Sequence, residues 1–144
     1  MPTAVTIVAC ALALLGRSER TFPPIELMDV VPHDVSVQAD AFVRPPGRTI
    51  YVVTSSFAFR EAQSRRAECG DYFALKKLAS ILAHEEWHVL HGGDERGAYE
   101  AQLSTLIRMG VSPGDRLYTT VVRSMKTVLE KKAEKPDLVV AARR

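Results

Sequence analysis

The chain has 144 residues, 47% of them hydrophobic and 25% charged, a balance ordinary for one globular domain with a real core. Its formal net charge is +2, so nothing in the charge balance marks a nucleic-acid partner or an anionic membrane surface. Cys10 and Cys69 are the two cysteines; they are too few for a disulfide framework, and with no Cys-x-x-Cys spacing they do not form a thiolate metal site.

Ala4 to Leu15 is an almost unbroken apolar run of twelve residues. A membrane-spanning helix needs about 20, whereas a signal-peptide core needs about this many. No Lys or Arg precedes the run and no clear A-x-A site follows it, but Gly16-Arg17-Ser18-Glu19-Arg20 breaks it abruptly. The expectation is that residues 1–20 are a signal- or anchor-like segment, with membrane association through residues 4–15 and an exported or anchored protein. The alternative is a buried strand or helix of the domain itself.

Residues 21–134 read as a single domain. Thr21 to Pro24 is a linker with two prolines, and beyond it Val35 and Val37, then Ala41 and Val43, alternate with polar neighbours. Arg44-Pro45-Pro46-Gly47-Arg48 is a turn signal. Thr49 to Thr54 (T-I-Y-V-V-T) is β-branched and aromatic, the best strand in the chain. Together these predict a hairpin or small antiparallel sheet. Ser55 or Ser56 caps a helix over Phe57 to Glu68, ended by Cys69-Gly70. Asp71 caps a second helix from Tyr72 to about His91, with Leu75, Leu78, Ala79 and Leu82 as its apolar stripe and Gly92-Gly93 as its stop. Asp94 caps a third, Glu95 to Met109, before Gly110. A fourth runs from Asp115 to about Lys132, with Leu117, Val121, Val122, Met125, Val128 and Leu129 on one face. Residues 135–144 read as a flexible tail.

The second helix carries His84-Glu85-Glu86-Trp87-His88. Histidines at i and i+4 project from one helical face, so both imidazoles can reach a single metal ion, and the glutamate beside the first can take a proton from a metal-bound water. Zinc suits such nitrogen and oxygen ligands. The apolar residues Ile81, Leu82, Ala83, Trp87, Val89 and Leu90 around the motif fit a buried helix better than a solvated face.

A catalytic zinc needs a third protein ligand. His91, Asp94, Glu95 and Glu100 are the candidates. His91 follows His88 on the same helix, and three ligands from one straight helix fit a tetrahedron poorly. Asp94 stands where the metzincin pattern H-E-x-x-H-x-x-G-x-x-H/D has its third ligand, but His91 occupies that pattern's glycine slot; Asp94 is also a helix cap, or a group orienting a ligand histidine. At about 100° per residue, Glu95 shares the apolar face of its helix with Ala98, Tyr99, Gln102, Leu103 and Leu106, while Glu100 is rotated about 140° away. Glu95 is therefore the acid that would be buried, and a buried carboxylate needs a partner.

His84-Glu85-Glu86-Trp87-His88 followed by Glu95-Arg96-Gly97-Ala98-Tyr99 resembles the gluzincin arrangement of zinc metallopeptidases, over roughly Thr49 to Met109. The resemblance implies an α+β, minimal zincin-like domain, its small sheet packed on three to four helices including the motif helix. It implies one Zn2+ per chain held by His84, His88 and Glu95, with Glu85 as general base. It also implies that Thr49–Thr54 is the edge strand along which a peptide substrate lies. Tyr99, Tyr118, His91 and Arg123 are candidate oxyanion donors. Three other functions fit the same residues: a zinc-binding interaction or regulatory domain without catalysis, a metal-dependent hydrolase of a non-peptide substrate, and a helical domain with no metal.

Overall fold

A computed structural model of the chain describes residues 1–134 and 141–143. Five helices and a four-stranded mixed sheet make an α+β fold: α1 Ala4–Leu14, β1 Ile25–Met28, β2 Ala39–Val43, β3 Ile50–Val53, α2 Phe57–Gln63, α3 Tyr72–His91, α4 Glu95–Arg108, α5 Arg116–Glu134 and β4 Ala141–Arg143. Helix starts follow the short polar residues. Ser56 accepts from the amide of Phe59, Asp71 from that of Ala74 and Asp94 from that of Arg96, each satisfying an amide that the first helical turn leaves over. Helix α2 stops at Gln63, five residues short of the predicted Glu68; Ser64 donates back to the Glu61 carbonyl and closes the last turn.

Helix α1 packs into the main core. Ile7, Val8, Ala11 and Leu12 are buried in the main core with Phe59 of α2, Leu75, Leu78 and Leu82 of α3, and Ile50 and Val52 of β3. Residues 4–14 are thus helical and packed in the core of this structure. A disulfide joins Cys10 on α1 to Cys69 ahead of α3, with 5.7 Å between the Cα atoms. Arg17, just past α1, pairs with Glu86 of the motif at 2.6 Å. Among the described residues no helix is long and apolar enough to cross a membrane.

The sheet runs β1-β3-β2-β4. Strands β2 and β3 form the expected antiparallel pair, with Ala41 opposite Val52 and Val43 opposite Ile50. Strand β1 joins the far side of β3 in parallel, which makes the sheet mixed and not antiparallel throughout. The Thr49–Thr54 segment is therefore central and not an edge: both sides of β3 are paired. Val35 and Val37 lie in the 29–38 loop and not in a strand. That loop covers the sheet face turned away from the helices, where Val35 is buried with Phe42 and Val53. Ala141–Arg143, within the stretch read as a tail, forms β4 against β2; residues 135–140 and 144 lie outside the described residues.

A cross-link closing 59 residues of chain should stabilise chiefly by restricting the unfolded ensemble, by about 2–4 kcal/mol. Replacing Cys10 and Cys69 together with serine should lower the unfolding free energy by that amount in denaturant titrations. An unchanged midpoint and slope would show that α1 is not stapled to the rest.

Candidate metal centre

Helix α3 has two halves. Its first turns put Leu75, Leu78, Ala79 and Leu82 into the core, and the same buried face continues through His84, Glu85 and His88. Helix α4 returns antiparallel along it after a short link. Gly92, at φ 91°, ends α3 in a backbone conformation that side chains rarely adopt. Asp94 then caps α4, and Glu95 in its first turn faces back towards α3.

His84, His88 and Glu95 form a group in which one ligand atom from each lies within 4.8 Å of the others, a geometry that can hold a metal ion. Glu95 Oε1 is 2.6 Å from His88 Nε2 and 3.2 Å from His84 Nε2. The site is deep: His84 and Glu85 are 0% exposed, His88 2% and Glu95 3%.

The outward nitrogens of both rings are also held. His88 Nδ1 donates to the Gly92 carbonyl at 2.8 Å, and His84 Nδ1 meets Gln102 Oε1 at 2.9 Å. A short relay fixes that amide. Ser80 donates its hydroxyl to the Lys77 carbonyl, so its oxygen is left to accept from Gln102 Nε2, which turns Gln102 Oε1 towards His84. With Nδ1 protonated on each ring, the neutral tautomer presents both Nε2 lone pairs inward. Two lone pairs and a carboxylate oxygen then converge on one point. These are three acceptors, an arrangement that calls for a cation or shared protons between them.

Electrostatics agree with that set of ligands. Burial disfavours the His84 imidazolium and holds its pKa below the usual value, although Glu95 and Gln102 pull the other way. For Glu95, burial alone would raise the pKa; hydrogen bonding to His84 and His88 outweighs it and brings it down to about 2. Burial thus favours a neutral imidazole at His84, and Glu95 is held ionised by a positive partner on its inner side, whether protons on the Nε2 atoms or a cation in their place.

The other candidates lie elsewhere. His91 is exposed and tilts over Trp87, 4.7 Å between ring centres. Asp94 is an exposed helix cap, and Glu100 and Arg123 are exposed. Tyr99 is buried edge-on against His84, with ring centres 4.5 Å apart. Tyr118 is half-buried in the apolar cluster that Tyr99 shares with Leu106 and Val121. Of the two glutamates in the motif, Glu86 is turned out to Arg17, and Glu85 is turned in.

Sequence reasoning places Gln102 on the correct face but gives it no task. Its spacing of seven residues from Glu95, two helical turns, is the available signal. Gly97 is the other unread residue. A Cβ there would come within 2.2 Å of the Trp87 ring, so the close approach of α4 to α3 depends on Gly97 as well as on the small, buried Ala98.

Comparison of the chain with protein-family models, with curated proteins and with solved structures finds no match in any of the three.

If Gln102 sets the tautomer of a ligand, Gln102→Leu should weaken metal binding about 10–100-fold while the helices remain folded. Competition with a chelator of known affinity, followed beside circular dichroism, measures both. An unchanged affinity would mean that the amide does not orient His84.

Proposed function

We propose that this chain is a zinc-dependent metallopeptidase, with His84, His88 and Glu95 as ligands and Glu85 as general base. The observation that carries the reading is the convergence of two tautomer-fixed imidazoles and one carboxylate oxygen beside a second, buried glutamate. Two nitrogens and an oxygen suit zinc, with a fourth position left for water.

His84, His88 and Glu95 would hold the zinc, which when bound would supply Lewis acidity near neutral pH. The protein's own groups do the rest. Gln102 and the Gly92 carbonyl hold the ligand rings in place. The Glu85 carboxylate, one residue along α3 from His84, takes the proton of the attacking water and delivers it to the leaving amine. The Cys10–Cys69 disulfide supports an oxidising location, in keeping with export, because such bonds persist outside reducing compartments.

One observation favours a second reading. With all four site residues at most 3% exposed, a substrate has little access to the group, which therefore also suits a zinc-binding domain that does no chemistry.

Two substitutions separate these readings. Glu95→Ala should remove most of the roughly one zinc per chain measured by mass spectrometry; undiminished zinc would exclude Glu95 as a ligand. Glu85→Gln should keep the zinc and reduce peptide hydrolysis by at least about 10²-fold, since general-base catalysis contributes that much or more. Zinc in the wild type with no hydrolysis of any peptide tried, and no effect of Glu85→Gln, would favour the closed structural site.

A further inference from the structure

The exposed aromatic residues of this chain lie together. Phe57, Tyr72 and Phe73 are 51%, 59% and 58% exposed, whereas every other phenylalanine and tyrosine, and the tryptophan, is buried or half-buried. Phe57 begins α2, and Tyr72 and Phe73 begin α3. Phe57 and Phe73 line one open cavity of about 620 Å³, at the end of the molecule where α5 also begins. Contiguous apolar surface left in water marks a site of interaction.

Cations surround these rings. The Lys76 ammonium sits over both Tyr72 and Phe73, 4.7 and 5.8 Å from the ring centres. Lys77 and Arg116 line the cavity with the two phenylalanines. Arg60 is exposed one turn along α2 from Phe57, on the same face. None of these four cations forms an ion pair with a described residue. Two of the cavity's acids, by contrast, are engaged within the protein. Asp71 accepts from the Ala74 amide and pairs with Arg65 at 3.1 Å, and Asp115 accepts from the Leu117 amide. Glu61 is the remaining acid of the lining. The chain's overall charge of +2 averages this local positive excess away.

We propose that this end of the molecule docks on an anionic phospholipid membrane, with the three rings entering the headgroup layer and Arg60, Lys76, Lys77 and Arg116 meeting lipid phosphates. Aromatic rings settle at that depth, and Lys and Arg beside them add attraction to an anionic surface. The charge argues for lipid over a protein partner, because lysine is depleted from protein interfaces whereas interfacial anchors are rich in it. The contact is peripheral, since among the described residues no helix is long and apolar enough to cross a membrane. His84 lies further along α3 than Phe73 by about 16 Å, at about 1.5 Å per residue. The metal centre is therefore off the contact, and the proposal does not depend on what the metal does.

The test sediments the full chain with vesicles of equal parts phosphatidylglycerol and phosphatidylcholine, and with vesicles of phosphatidylcholine alone. The wild type should bind the anionic vesicles at least about tenfold more tightly, and added salt should weaken that binding. Tyr72→Ser with Phe73→Ser should weaken it about tenfold or more, and so should Lys76→Gln with Lys77→Gln, each with an unchanged circular dichroism spectrum. Ile107→Ser, at an exposed apolar position on α4, should bind as the wild type does. Hydrogen exchange on the wild type maps the contact without any variant: anionic vesicles should slow the amides of residues 57–60 and 72–77 and leave those of α4 unchanged. No binding to anionic vesicles, equal binding to both kinds, or protection of another face would overturn the proposal. A dimer in sedimentation equilibrium that the Tyr72→Ser, Phe73→Ser variant dissociates, found in place of vesicle binding, would assign the patch to a second copy of the chain and overturn it as well.

Discussion

Everything at the centre depends on how closely α4 can approach α3. A carboxylate carried on one helix must come within hydrogen-bonding distance of imidazoles on the other, and ordinary helix pairs stand about 8–10 Å apart according to the side chains between them. Here the contact is made by Ala98, fully buried, and by Gly97, whose missing side chain leaves room for the Trp87 ring. The link between the helices is short and its turn is made at Gly92, so α4 starts beside the end of α3, and Glu95 is already in its first turn. The Gly92 carbonyl that ends α3 also receives His88 Nδ1. One turn of backbone thus closes the helix, reverses the chain and orients a ligand. From the α5 side, Lys132 reaches the Gly93 carbonyl at 2.6 Å and holds the same turn.

A site this deep needs compensation. A carboxylate stripped of water is costly unless charge or hydrogen bonds replace the solvent. Two neutral imidazoles cannot satisfy the acid at Glu95 if both Nε2 atoms are lone pairs, and both Nδ1 atoms already face acceptors. Protons on the inner nitrogens would serve, but they would charge imidazoles in a setting where burial disfavours the charged form of His84. A divalent cation answers all three acceptors at once and leaves the rings neutral. The physical case for a metal therefore comes from the donor and acceptor balance around the site, beyond the spacing of its histidines.

Much of this was legible in the residues, for reasons that can be named. Helix caps are local chemistry, so Asp71 and Asp94 announced α3 and α4 correctly. A 3.6-residue period decides which side chains share a face, so Glu95 could be chosen over Glu100 without coordinates. What was not legible depended on distant partners. The run from Ala4 to Leu15 is apolar on most of its circumference, and composition alone does not say what it packs on; here Phe59, Leu75 and Leu78 receive it. Thr49–Thr54 reads as a strand, but whether a strand is central or at an edge depends on its neighbours. One neighbour, Ile25–Met28, is short and follows directly on Pro23-Pro24, where the prolines drew the reading towards a linker. Cys10 and Cys69 were too few to suggest a framework, and their pairing appears only once α1 lies beside the segment leading into α3.

The sheet order bears on the function as much as the ligands do. With β3 enclosed between β1 and β2, and β2 between β3 and β4, the outer edges of the sheet are those of β1 and β4. β1 is separated from β2 by β3 and has no place beside the motif helix. Among the described residues, β2 is the strand that combines contact with α3, an unusual register and a buried acid at its bulge. Strand pairing offers main-chain groups to any extended partner, so an edge of this kind is seldom left bare; natural sheets cover it, charge it or bend it away. The bulge at Asp40 bends it, and β4 covers it.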